Sequence, residues 1–73
     1  MLDRLQEALE SLEWVQRARV RLREDGDVLA GEAFLVLRDG GDLLDRLDQA
    51  KGVAQALDWR LHDIQMIPVR SVD

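Results

Sequence analysis

Val15-Gln16-Arg17-Ala18-Arg19-Val20-Arg21-Leu22-Arg23-Glu24-Asp25-Gly26-Asp27-Val28-Leu29-Ala30-Gly31-Glu32-Ala33-Phe34-Leu35-Val36-Leu37 decides the fold. Ala18, Val20 and Leu22 alternate with Arg17, Arg19, Arg21 and Arg23, the period of two that a strand shows when one face lies on a core and the other in solvent. Glu24-Asp25-Gly26-Asp27 interrupts the alternation, and a second extended run follows. The spacing predicts strands over about 15–24 and 28–37 joined as a hairpin. A two-residue Asp25-Gly26 loop of type I′ needs positive φ at both positions, which Asp and Gly tolerate best. That loop sets a register in which Leu22 faces Leu29, Val20 faces Gly31 and Ala18 faces Ala33, with Arg19 against Glu32 and Arg17 against Phe34 on the other face. From Phe34 to Leu37 the second strand is apolar on both faces, so the arginine face also carries Phe34 and Val36.

Working outward, Leu2, Leu5, Leu9 and Leu12 recur at three- and four-residue steps with acidic residues between them, the pattern of an amphipathic helix over about 2–13. On the other side, Arg38-Asp39-Gly40-Gly41 is a loop, because the glycine pair lacks the longer phosphate-binding fingerprint and any following lysine. Asp42 is placed to cap a helix over about 43–57 whose apolar stripe is Leu43, Leu47, Ala50, Ala54 and Leu57. A last apolar segment over about 61–67 runs into Pro68, which cannot donate to a ladder and belongs at a strand end or sheet edge. The order helix, strand, strand, helix, strand closes most simply as one α+β domain over 1–73, a two-layer sandwich with both helices on one sheet face. The other face is open, and function is expected there.

Composition excludes several classes. No cysteine rules out disulfides, thiolate metal sites and thiol nucleophiles, and suits a reducing cytosol. Ten basic against fifteen acidic residues give a net charge of -5, which repels a phosphate backbone, so no nucleic-acid partner is expected. The longest apolar run is Ala33 to Leu37, far short of the ~20 residues that span a bilayer, and the acidic segment after Met1 does not read as a signal peptide. The chain is not expected to insert into a membrane. One histidine, no tyrosine and two serines, Ser11 and Ser71, leave no nucleophile–base constellation, so the chain reads as no enzyme. At 73 residues without disulfides, a domain commonly gains stability by self-association or by docking on a larger neighbour.

Taken in order, five phrases resemble the cytoplasmic C-terminal domain of cation diffusion facilitator (cation efflux) transporters, proton-coupled exporters of zinc, iron, manganese and related divalent metals. These are Glu13-Trp14-Val15 after the first helix, Ala18-Arg19-Val20-Arg21, Gly31-Glu32-Ala33-Phe34-Leu35-Val36 after the glycine turn, Asp42-Leu43-Leu44, and the closing Leu61-His62-Asp63-Ile64-Gln65-Met66-Ile67-Pro68. The resemblance covers nearly the whole chain. It implies a ferredoxin-like, metallochaperone-like αββαβ sandwich that catalyses nothing, follows the membrane domain of the same transporter, forms a homodimer in the cytoplasm and regulates metal ion transport. It also implies a departure. Positions where family members carry metal-binding histidines correspond to Gln16, Phe34, Leu47 and Gln65, whose amide, phenyl and alkyl groups supply neither the imidazole nor the carboxylate that zinc selects. No cofactor is therefore required, and these metal-ligand positions are lost.

His62 has two readings: a residual zinc-like site with Asp63, or a histidine at a strand start that bonds the backbone or a helix end. A single imidazole seldom holds zinc, and Asp63 should point to the opposite face in a regular strand. The arginine stripe also has two readings. Arg17, Arg19, Phe34 and Val36 form a dimer interface, with Arg17 able to lie over the Phe34 ring. Alternatively, a stand-alone ferredoxin-like sensing domain binds a small anionic ligand through the arginines. Trp14 and Trp59 stand at helix–strand junctions and read as plugs at the edge of the core rather than as ligand stackers.

Overall fold

The computed structural model describes residues 2–38, 41–61 and 63–71. Helix α1 (Leu2–Glu10) is followed by β1 (Val15–Asp25), β2 (Val28–Leu37), α2 (Leu43–Leu57), a 3-10 turn at Trp59–Leu61, and β3 (Asp63–Val69). The sheet order is β1-β2-β3, with β1 antiparallel and β3 parallel to β2. Both helices pack on one side, giving the ferredoxin-like αββαβ arrangement. The core lies between the layers: Leu5 and Leu9 from α1, Val15, Ala18 and Val20 from β1, Ala33 and Leu35 from β2, Ala50 and Ala54 from α2, and Leu61 and Ile64. Each fully buried Leu, Ile or Val contributes about 1.5–3 kcal/mol of transfer free energy.

The hairpin register differs from the one the sequence suggests. Val20 pairs with Ala33, Arg19 with Phe34, Arg21 with Glu32 and Arg17 with Val36, so every pairing from Arg17 to the turn is displaced by two residues. The cause is the turn. Asp25 pairs with Val28, so the loop is Gly26-Asp27 rather than Asp25-Gly26. Of the two loop residues only Gly26 has positive φ, +68°, as a type II′ turn requires of its first central residue; no described non-glycine residue has positive φ, so type I′ is not formed. Because the displacement is two, each side chain keeps its face while its cross-strand partner changes.

The ends of the elements also differ. The first helix stops at Glu10 rather than near 13: Leu12 N–H turns back to the Leu9 carbonyl at 3.2 Å and the Ser11 hydroxyl donates to the Ala8 carbonyl at 2.6 Å, tightening the last turn. The third strand starts at Asp63, not 61, because the Asp58 carboxylate accepts the Arg60 N–H at 2.9 Å and winds Trp59–Leu61 into the 3-10 turn. It then continues through Pro68 to Val69. Leu2 and Leu43, placed on the apolar stripes by spacing, are 41% and 42% exposed, so each stripe begins a turn later. Asp42 caps α2, its Oδ1 accepting the Asp45 N–H at 3.3 Å.

Candidate functional site

The open sheet face is built row by row. A bulge at Gln16 shifts the register between Val15 and Arg17, so that Val15 enters the core while Arg17, two residues on, points to the opposite face. From there the pairings define four rows across β1, β2 and β3: Arg17–Val36–Val69, Arg19–Phe34–Ile67, Arg21–Glu32–Gln65 and Arg23–Ala30–Asp63. The four arginines are exposed, while Phe34, Ile67 and Val69 are half-buried. Val36 and Ala30 are buried, at 8% and 6%, yet stand outside the core cluster, since they are covered only by their neighbours on this face. The result is an apolar patch of Phe34, Val36, Ile67 and Val69, flanked along β1 by positive charge and ending at the acidic Asp63.

Two expected contacts are redrawn. Arg17 lies opposite Val36, and Arg19 takes the place opposite Phe34. Glu32 is opposite Arg21 and forms its ion pair diagonally with Arg23, at 3.3 Å, rather than with Arg19. The Arg23 side chain is 66% exposed, so the pair contributes about 0.2–1 kcal/mol. A cation–π contact is formed elsewhere: the Arg46 guanidinium stands 5.3 Å from the centroid of Trp14.

The four positions at which the resemblance places lost ligands do not form one cluster. Phe34 and Gln65 share the open face in adjacent rows, Gln16 is the exposed bulge residue, and Leu47 packs from α2 against the core on the other side of the sheet. Among the described residues, no group of three or more His, Cys, Asp and Glu could hold a metal ion. Asp63 is exposed at the start of β3, and His62 lies outside the described residues, as do Asp39 and Gly40 of the loop before α2. The donor chemistry at Gln16, Phe34, Leu47 and Gln65 does not fit a transition metal.

The tryptophans separate. Trp14 packs on the edge of the core and its indole Nε1–H donates to Gln49 Oε1 at 3.0 Å. Trp59 is 68% exposed and is not a plug; the 3-10 turn carries it outward beside the hairpin tip, where it lines a groove with Glu24, Asp27 and Leu29. Next to it, Asp58 accepts three bonds from the Arg60 side chain, at 2.8–3.2 Å. Those bonds, with the Arg60 backbone N–H, hold the Asp58 carboxyl near a pKa of about 2 and raise that of Arg60.

Sequence reasoning missed the contribution of β3 to the open face. Ile67 and Val69 double the apolar patch, and no local pattern points to them, because they reach it through the pairing of β3 with β2, more than thirty residues away in sequence.

No protein-family model matches the chain, and no curated protein matches it in sequence. Solved structures do. A cadmium form of a MamM C-terminal domain variant superposes with a TM-score of 0.80 at 14% identity, over 96% of this chain and 92% of that one. A nickel form of another variant gives 0.79 at 13%, covering 92% and 90%, and the MamM C-terminal domain 215–293 gives 0.80 at 12%, covering 94% and 92%. These neighbours are cytoplasmic domains of the cation diffusion facilitator family, the family on which the sequence resemblance settled. Along nearly its whole length, this chain carries the fold of a cation diffusion facilitator C-terminal domain.

Proposed function

We propose that the chain is the cytoplasmic dimerisation and regulatory domain of a cation diffusion facilitator-like divalent metal exporter, a non-catalytic module that pairs through its open face and hangs from the membrane domain of the same transporter. The observation that supports this most is the match of fold and extent to MamM C-terminal domains, with over nine-tenths of each chain superposed. The apolar patch of Phe34, Val36, Ile67 and Val69 supports pairing, because a sheet face of this kind is otherwise left in water. Arg17 and Arg19 rim that patch. Cadmium and nickel forms exist among the neighbours. In this chain Gln16, Phe34, Leu47 and Gln65 offer no equivalent donors, so the domain acts in assembly without sensing metal. No described helix is long and apolar enough to cross a membrane.

Sedimentation equilibrium at micromolar concentration, once with chelator and once with excess zinc, tests the proposal. A dimer indifferent to zinc is expected. A monomer under both conditions overturns the dimerisation reading, and a dimer that forms only with zinc overturns the loss of metal sensing.

A further inference from the structure

The acceptors that α1 offers to the edge of β1 run out before the edge does. Glu10 and Gln6, one turn apart, take the Ala18 and Val20 N–H groups at 3.0 Å each. The next position in that row is Leu2, which lines a groove with Asp3, Gln6, Val20 and Arg21 and has no acceptor to give. Leu22 and Glu24 follow Val20 on the outward side of β1, and their backbone N–H and carbonyl groups bond to nothing among the described residues. The two flanks of this short edge differ. On the open-face flank stand Arg19 and Arg21, exposed and in no ion pair among the described residues, beside Arg23, which Glu32 already holds. On the helix flank stand Leu2, 41% exposed, and the carboxylates of Asp3 and Glu24.

We propose that this edge binds an extended segment of a partner protein in which acidic residues alternate with apolar ones. The backbone of the segment pairs with Leu22 and Glu24 and adds a strand beside β1. An extended chain brings every second side chain to one flank at a spacing of about 6.7 Å, which is also the spacing of Arg19 and Arg21. Alternate carboxylates therefore fall beside both guanidinium groups, which bind carboxylates with charge-assisted hydrogen bonds. The residues between them point to the helix flank, where Leu2 offers apolar surface. A slip of one residue would carry the acids to that flank, against Asp3 and Glu24, so charge and apolar contact select the same register. A nucleic-acid strand meets the same arginines but has no peptide N–H and carbonyl groups with which to continue the ladder.

Fluorescence anisotropy with a blocked, labelled peptide of about seven residues, alternating glutamate and valine, tests the proposal; its length matches a short edge strand. Saturable binding is expected, and no binding overturns the site. Two N-methylated forms keep every charge, one methylated at each valine and the other at each glutamate. Only one set of amides can face β1, so one form should bind at least about tenfold more weakly than the other, the worth of one to two hydrogen bonds. Equal effects of the two methylations overturn pairing at the edge. The double variant Arg19→Glu, Arg21→Glu should lose the glutamate peptide and take up its lysine–valine counterpart, with an unchanged urea midpoint showing that the fold persists. Retention of the glutamate peptide by that variant overturns the arginine flank. A single-stranded oligonucleotide that displaces the peptide at lower concentration than the unlabelled peptide does overturns a protein segment as the occupant.

Discussion

Gln6 and Val20 are joined across the boundary between helix and sheet: Gln6 Oε1 accepts the Val20 backbone N–H at 3.0 Å, and one turn later Glu10 Oε2 accepts that of Ala18, also at 3.0 Å. Four helical residues advance about 6 Å and two strand residues about 6.7 Å, so side chains one turn apart match edge donors two residues apart. At Ala18 and Val20 the outer edge of β1, otherwise a row of unpaired donors open to any extended chain, is thereby closed.

Gln6→Ala and Glu10→Ala are each expected to lower stability by about 1 kcal/mol, the net worth of one hydrogen bond. The double variant should also aggregate faster, through the reopened edge. Leu5 and Leu9 stay buried and keep α1 docked, so these variants fold. Urea denaturation reads the first effect and light scattering the second; an unchanged urea midpoint would show that water replaces both acceptors without loss.

The other edge is managed differently. With Ala18 and Val20 donating outward, Arg19 pairs inward with Phe34, which turns Ala33 and Leu35 toward β3 and leaves Ile64, Met66 and Pro68 with their backbone groups facing out. Pro68 has no N–H to lose there, which is why β3 runs through it to Val69 rather than ending before it.

Much of this was legible in the residues, and the failures have local causes. The alternation around Arg17–Arg23 and the Asp42 cap carry strong periodic and chemical signals, and both recur in the structure. The turn was displaced by one residue because Asp25-Gly26 and Gly26-Asp27 are both good turn dipeptides, and only the twist of the strands chooses between them. Phe34 on the open face was readable from its parity with Arg19. Its neighbours Ile67 and Val69 were not, because they arrive through a pairing over thirty residues away in sequence.

The glycines should respond in opposite directions to alanine. At Gly31 a Cβ would overlap the Arg21 carbonyl oxygen in the neighbouring strand, backbone that cannot swing aside, so Gly31→Ala should cost about 1–3 kcal/mol. Gly26 has open space but φ of +68°, and its substitution should cost about 1 kcal/mol through backbone strain alone. Gly52, inside α2 with nothing within 4 Å, should gain about 0.5–1 kcal/mol as alanine. Denaturation of the three variants checks both order and sign.

Acid should loosen the connection between α2 and β3. Bonds from the Arg60 side chain and backbone lower Asp58 from 3.8 to about 2. A depressed carboxyl contributes stability that is complete above its unfolded pKa and is lost as pH falls through its folded one. The window therefore lies between about pH 4 and 2, and Asp58→Asn should remove this part of the pH dependence. Thermal midpoints of both proteins across that range should converge as pH falls; a constant separation would mean that the carboxylate's charge contributes nothing.

Phe34 separates folding from assembly. It is half-buried, lies outside the core cluster, and stands level with Arg19 and Ile67 at the middle of the open face. Phe34→Asp leaves the helix-side core untouched and should shift stability of the monomer by less than about 1 kcal/mol, as surface substitutions do. In a dimer paired through the open face, the same change sets a carboxylate in the apolar patch beside Val36, Ile67 and Val69, so self-association should weaken by at least about tenfold, the equivalent of 1.4 kcal/mol. Leu35→Ala is the opposite control, since Leu35 is fully buried on the helix side and its truncation should cost about 2–5 kcal/mol of folding stability. Sedimentation of Phe34→Asp beside its urea midpoint decides the matter: a lost dimer with an intact fold places the interface on the open face, and an intact dimer removes Phe34 from it.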